Sequence, residues 1–139
     1  MPKYAMVIDL NTCVGCNACM AACAMENQTP VWEGKWRTYV HDAEIGSGED
    51  VHRRFFPRLC NHCDNPPCTR VCPTQATWKR ESDGIVMMDW HRCIGCRYCV
   101  AGCPYGSRSF NWRDPRPYIE ETNNAYPTRT RGVVEKCTF

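Results

Sequence analysis

Apolar positions in this chain come in short bursts rather than long periodic stretches, and each burst predicts a small element. Tyr4 to Asp9 and Gly84 to Asp89 are β-favouring runs, each placed directly before a group of cysteines, so each predicts a strand feeding a cysteine loop. Ser82, Asp83 and Gly84 read as a turn, which makes Ala76 to Arg80 and Ile85 to Asp89 the two arms of a hairpin. A second hairpin is predicted from Trp36 to Val40 and Val51 to Phe56, around the turn-rich stretch Ile45 to Asp50. Cys19 and Cys23, like Cys99 and Cys103, stand four apart with small residues between them, the spacing of a short helix. Farther on, Pro115, Pro117 and Pro127 with Asn123 and Asn124 break any helix, and residues 104–132 are expected to wrap over a surface in extended form.

No run of 18 apolar residues is present, and Met1 to Leu10 is too short and too polar for the apolar core of an export signal. The sequence thus predicts neither a span nor a leader. Leu, Ile, Val and Phe together fill only 21 of 139 positions, below the roughly one-fifth at which an ordinary apolar core becomes expected. Low aliphatic content with high net charge would mean disorder, but 17 basic and 15 acidic side chains leave only +2. That balance also argues against a nucleic-acid partner, which calls for a gathered basic excess. Thirteen cysteines are the remaining candidate for what organises the interior.

They fall into three groups of four and one outlier: Cys13, Cys16, Cys19 and Cys23; Cys60, Cys63, Cys68 and Cys72; Cys93, Cys96, Cys99 and Cys103; and Cys137. The first and third groups align at a fixed offset of 80 residues, with Asp9 on Asp89, Val14 on Ile94, Gly15 on Gly95 and Ala21 on Ala101. Both read C-x2-C-x2-C-x3-C, the bacterial ferredoxin run for a 4Fe-4S cluster, and Pro104 follows the last cysteine of the third. Three thiolates on one tight loop hold three corners of a cube, and Gly15 and Gly95 let the backbone approach it. The fourth corner comes from another run, because in two-cluster ferredoxins the last cysteine of each run ligates the other cluster.

The second group, C-x2-C-x4-C-x3-C-P, is lengthened by Pro66 and Pro67 and shares the Cys-Pro ending of the third. Pairing the two predicts one cluster on Cys60, Cys63, Cys68 and Cys103 and another on Cys93, Cys96, Cys99 and Cys72. The first group has no partner run unless Cys137 opens one, and the sequence stops at Phe139, where C-x2-C would soon place a further ligand. The expectation is a natural protein that continues. Zinc sites of four thiolates separate their C-x2-C pairs by a dozen or more residues and need no third cysteine in the loop. A disulfide framework is disfavoured by the odd count. His62 lies inside a cysteine loop whose thiols already suffice, and is read as packing or hydrogen bonding; His41, His52 and His91 have no ligand spacing. The five tryptophans and six tyrosines are read as shielding around clusters and hairpins, and Arg53, Arg54, Arg58, Arg70 and Arg108 either as charges that lower repulsion among anionic clusters or, equally well, as ordinary solvated arginines. No catalytic triad order, phosphate loop or dinucleotide fingerprint is present, so the chain is read as moving electrons without a catalytic site of its own.

The motifs C-V-G-C-N-A-C-M-A-A-C, C-N-H-C-D-N-P-P-C-T-R-V-C-P and C-I-G-C-R-Y-C-V-A-G-C-P-Y-G, with the lead-in Val133-Val134-Glu135-Lys136-Cys137, resemble the four-cluster iron–sulfur subunit of dimethyl sulfoxide reductase-type membrane oxidoreductases. That family includes polysulfide, tetrathionate and nitrite-reduction relatives. The resemblance implies four 4Fe-4S clusters in the full-length protein. It places Cys13, Cys16 and Cys19 on a third cluster whose last ligand lies past Phe139, and Cys137 with Cys23 on a fourth. It further implies a hetero-oligomer in which clusters relay electrons between a membrane quinone-interacting or cytochrome subunit and a catalytic subunit, often a molybdopterin enzyme. Such a subunit is peripheral on the membrane, by analogy on the periplasmic face, with the cytoplasmic face fitting the sequence as well. A free soluble polyferredoxin and a zinc-stabilised interaction module are the competing readings. The expected fold class is α+β, built from duplicated bacterial ferredoxin-like two-cluster modules with short hairpins, short helices and long loops. Residues 1–23 form a first half-module, 24–59 a hairpin insertion, 60–110 a complete two-cluster module, and 111–139 an extended loop leading into a truncated fourth motif.

Overall fold

The computed structural model describes residues 3–29, 36–123, 125 and 129–139. The expectations placed on Met1 and Pro2, Trp32, Asn124, Tyr126 and Pro127 lie outside the described residues. What is described is a mixed α+β structure of short elements: helices α1 (Ala18–Glu26), α2 (Pro67–Arg70) and α3 (Tyr98–Ala101), and strands β1 (Tyr39–Ser47), β2 (Asp50–Arg58), β3 (Thr77–Lys79), β4 (Val86–Met88), β5 (Ser109–Phe110) and β6 (Val134–Glu135). The strands pair only two by two, as antiparallel ribbons β1–β2, β3–β4 and β5–β6.

Each element has a local cause. Helix α1 is alanine-rich, and its C-terminus is closed by Asn27, whose backbone and side-chain nitrogens both donate to the Cys23 carbonyl. Helix α2 starts on Pro67, whose fixed φ and missing N–H suit a first helical turn. Strands β1 and β2 are paired from Tyr39 with Arg58 to Ser47 with Asp50, so the connection is only Gly48–Glu49, with Gly48 at φ +65°. This corrects the expected turn: Ile45, Gly46 and Ser47 belong to the ladder. The first arm also begins at Tyr39, later than expected. The β3–β4 ribbon falls inside the predicted arms, and its turn is fastened by Asp83, which accepts from the Ile85 N–H at 3.0 Å.

Two departures matter for the site. Tyr4 to Asp9 is not a strand: among the described residues no neighbouring strand supplies ladder bonds to it, and Tyr4, Met6 and Val7 stand exposed. Residues 104–132, expected as an extended surface wrap, contain β5 and a 3-10 turn at Arg116–Tyr118 and send Arg108, Ser109, Asn111 and Arg129 inward. Strand β5 then pairs with β6 in a ribbon the hydrophobic pattern did not announce.

The core is correspondingly small and contains sulfur. Cys68, Ala76, Val86, Met88, Cys99 and Val134 form its buried cluster, with Cys72, Trp90, Cys93, Val100 and Phe110 packed around it. Residues 133–137 are buried without interruption, including Glu135 and Lys136 at 0% exposure. Such burial demands partners. Glu135 accepts from Arg37 Nε at 3.0 Å and Asn111 Nδ2 at 2.7 Å, and it pairs with Arg129 Nε at 2.9 Å. Both guanidiniums lie over the Trp90 ring, at 5.6 Å for Arg37 and 5.8 Å for Arg129.

Candidate metal centres

All thirteen cysteines are free thiols. The loops that carry them are shaped by left-handed residues, Gly15 and Asn17 in the first group, His62 in the second, Gly95 and Arg97 in the third. These turn the backbone sharply within each cysteine run. Lys79 Nζ anchors the second loop by donating to the carbonyls of Cys63 at 3.1 Å and Asp64 at 2.9 Å. His62 Nδ1 accepts from the Val86 N–H at 3.0 Å and so ties this loop to β4. Burial, with help from the charges of Lys136 and Arg108, pushes the imidazole down to about 4. His62 is therefore neutral at ordinary pH and acts as an acceptor, as its sequence context suggested.

The thiols fall into neighbourhoods. Cys60, Cys63, Cys68 and Cys103 line one cavity, together with Val86 and Arg108. Burial pushes the Cys63 thiol up, and the charges of Cys60, Cys68 and Cys103 push it the same way. Cys99 is raised chiefly by burial, with Cys93 and Cys72 adding to it and the charge and hydrogen bond of Arg108 opposing. Cys72 is lowered: burial alone would raise it, but bonds from Thr74, Thr77 and Ala76 win, the Ala76 N–H at 3.2 Å among them. Cys137 is raised by burial, is relieved by the Phe139 N–H and by Lys136, and has Cys23 and Cys60 as its thiol neighbours. Cys16 and Cys19 of the first group stand exposed, and Cys13 and Cys23 half-buried.

Several donors point at sulfur: Arg108 Nη2 at Cys68 Sγ, 3.0 Å; Phe139 N at Cys137 Sγ, 3.4 Å; and Asn27 Nδ2 at Cys23 Sγ, 3.6 Å. N–H groups aimed at sulfur favour the thiolate over the thiol, which is the form that binds iron. Of the five arginines given these two readings, Arg108 alone has a hydrogen bond to sulfur among the described residues. Arg53 pairs with Asp42 on the β1–β2 hairpin, Arg58 lies over Tyr105 at 5.9 Å, and Arg54 and Arg70 are exposed. The aromatic shield is likewise partial: Trp90 is half-buried against the core, whereas Trp78, Trp112, Tyr98 and Tyr118 are at the surface. Lys136 and Asn27 escaped the sequence reading because a lysine beside a cysteine, or an asparagine after a helix, is ordinarily solvated. The one available signal was that Lys136 follows Val133 and Val134 without a turn residue.

Free thiols on short loops, approached by N–H donors and by buried cations, have the chemistry of sulfur ligands, and among the described residues no three of them converge on a site for a single metal ion. Profiles of two families, both described as 4Fe-4S dicluster domains, match residues 51–139 and 12–76. The chain belongs to the 4Fe-4S dicluster domain family, and its cofactor is the 4Fe-4S cluster. The donor set fits that group, being all sulfur and served by N–H donors.

The chain is 47% identical over 139 residues to a subunit of the tetrathionate reductase of Salmonella typhimurium, covering 99% of this chain and 48% of that protein. It is 44% identical over 148 residues to the menaquinone reductase iron-sulfur cluster-binding subunit of Nitratidesulfovibrio vulgaris, covering 99% and 58%. It is 36% identical over 169 residues to the arsenate respiratory reductase iron-sulfur subunit of Shewanella sp., covering 99% and 70%. The chain spans about half the length of the curated relatives it matches. Among the described residues no helix is long and apolar enough to cross a membrane.

Proposed function

We propose that this chain is the electron-transfer subunit of a respiratory oxidoreductase complex, peripheral on the membrane, joining a quinone-interacting or cytochrome membrane subunit to a catalytic subunit. The observation that carries the reading is the cavity walled by Cys60, Cys63, Cys68 and Cys103, in which two loops about 40 residues apart supply one sulfur set, in a chain whose relatives include iron-sulfur subunits of reductases. On this reading Cys60, Cys63, Cys68 and Cys103 ligate one cluster and Cys93, Cys96, Cys99 and Cys72 a second. Cys13, Cys16 and Cys19 are loop ligands of a third, and Cys137 and Cys23 ligate a fourth. The mutual influence of Cys99, Cys93 and Cys72, and of Cys137 and Cys23, supports those groupings.

Residues 60–110 then form a complete ferredoxin-like two-cluster module, and residues 1–23 with the segment opening at Cys137 contribute to its duplicate. When bound, each cluster supplies one-electron chemistry through iron valence change. The protein's part is to hold the sulfurs, exclude water around Cys68 and Cys99, and set the local charge. By family analogy the proposed complex faces the periplasm, and the cytoplasmic face fits the sequence as well.

The test is anaerobic purification of the full-length protein with its native partners. Iron and acid-labile sulfide in equal amounts, and an EPR signal appearing on dithionite reduction, are expected, together with co-purification of an integral membrane subunit. Zinc without sulfide would overturn the cluster reading. A monomer that reduces several unrelated acceptors would favour a free polyferredoxin.

A further inference from the structure

Among the described residues four basic side chains are deeply buried: Arg37, Arg108, Arg129 and Lys136. Two of them share the Glu135 carboxylate. Arg108 and Lys136 differ, because among the described residues neither has a carboxylate within ion-pair distance. What surrounds them instead is sulfur. Arg108 is 6% exposed and donates through Nη2 to Cys68 Sγ at 3.0 Å and to Thr77 Oγ1 at 2.9 Å, while Nη1 faces Met88 Sδ at 3.7 Å. Its charge also acts on Cys99. Lys136 is 0% exposed; it follows Glu135, the ladder partner of Ser109, and so comes beside Arg108, which lines the cavity of Cys60, Cys63, Cys68 and Cys103; its Nζ donates to the carbonyl of Cys137, and the charges near it are those of Cys60, Arg108, Cys137 and Cys68.

A buried cation without a counter-anion costs several kcal/mol, so an anion belongs in each place. Four thiolates outweigh the positive charge of the cube they hold, so each occupied site is anionic and gains one further negative charge on reduction. A nearby cation in a medium of low dielectric is attracted more strongly to the reduced form, which makes the cluster easier to reduce.

We propose that Arg108 and Lys136 are redox-positioning residues placed at the junctions between successive cluster sites, and that together they make the cluster on Cys60, Cys63, Cys68 and Cys103 the most readily reduced in the chain. Arg108 joins that site to the one containing Cys99; Lys136 joins it to the one containing Cys137. The site in the middle has both cations, and its neighbours have one each.

This inference rests on the electron-transfer reading, and the experiment separates the two. The full-length protein is titrated potentiometrically under EPR as the wild type and as Lys136→Met, Lys136→Arg, Arg108→Gln and Arg108→Lys. Lys136→Met is expected to move the midpoint of the Cys60–Cys103 cluster to more negative potential, and Arg108→Gln to move both that midpoint and that of the Cys99 cluster. The charge-conserving variants should return most of each shift at unchanged iron and sulfide content. Midpoints that stay put in cluster-replete neutral variants, or that move equally in Lys136→Met and Lys136→Arg, overturn the proposal while leaving the electron-transfer reading intact. Should the neutral variants fail to load iron, the wild type decides: the first signal to appear on reduction must be the one altered by Cys63→Ser, and another order overturns the proposal. Absence of any reducible iron–sulfur signal in the wild type would instead sink the underlying function.

Discussion

A side chain's exposure decides what its charge is worth here. Arg53 and Asp42 face each other on the outer part of the β1–β2 hairpin, where water and salt screen them, and such pairs contribute little. Glu135 occupies the opposite extreme: its carboxylate accepts from Arg37 and Asn111 and pairs with Arg129, and the side chains of the Arg37 pair are both 1% exposed. Arg37 carries the network onward through Nη1 to Asn27 Oδ1 at 2.8 Å, and Asn27 in turn donates to the Cys23 sulfur. Removing the carboxylate would take the ion-pair partner from the buried Arg37 guanidinium, a change that costs about 3–5 kcal/mol in comparable buried pairs. Glu135→Ala is therefore expected to lower the denaturant midpoint of the cluster-loaded protein strongly, read from loss of cluster absorbance, whereas Arg53→Ala should leave it unchanged. Equal midpoints for the two variants would show that the Glu135 network does not hold β6 in place.

At the scale of the element, the repeated cysteine loops are held by different neighbours despite their similar sequences. Gly15 has φ +70°, and a Cβ there would meet the Phe55 ring of β2 at 2.4 Å; Gly95 has φ +72°, and its Cβ would meet the Gly132 carbonyl oxygen at 2.3 Å. A side chain can move aside where a backbone carbonyl cannot, although left-handed strain of about 1–2 kcal/mol is common to both positions. Gly15→Ala should accordingly lose iron from the first loop and recover much of it in the double variant with Phe55→Ala. Gly95→Ala should lose iron without recovery when Phe110 is truncated, and iron and sulfide per chain measure both. Sequence made part of this legible. The glycines, the cysteine groups and the two hairpins stand out because turn residues and spacing are local signals. Strands β5 and β6 do not, since each is two residues long and its partner lies 24 or more positions away. Tyr4 to Asp9 resembles Gly84 to Asp89 in residue type yet lacks a ladder, because a strand is a property of a pair. Glu135 and Lys136 were illegible for a similar reason: local pattern assigns charged residues to water, and only the assembled fold supplies the carboxylate's arginines and the lysine's sulfurs.

For the whole molecule, the question is what keeps three separate two-stranded ribbons in one arrangement. A lone ribbon is at best marginally stable in water, and the buried apolar cluster comprises only Cys68, Ala76, Val86, Met88, Cys99 and Val134. Two of those six are thiols, and they sit on different helices, α2 and α3, that the proposed clusters would join. On the proposed ligation, in which Cys103 serves the site of the 60–72 loop and Cys72 that of the 93–103 loop, the clusters would cross-link residues 60–72 and 93–103, and cluster binding and folding of this region would be one process. Iron extraction by a chelator, under anaerobic conditions with a thiol reductant to prevent disulfides, is therefore expected to abolish the cooperative thermal transition followed by circular dichroism. Protease cleavage should open at once in the β3–β4 connection, Glu81–Gly84, and in the Cys60–Cys72 loop. An iron-free chain that kept its transition and its protection would mean that the apolar cluster and the Glu135 network suffice alone, and that the sulfurs are passengers on a fold that other forces maintain.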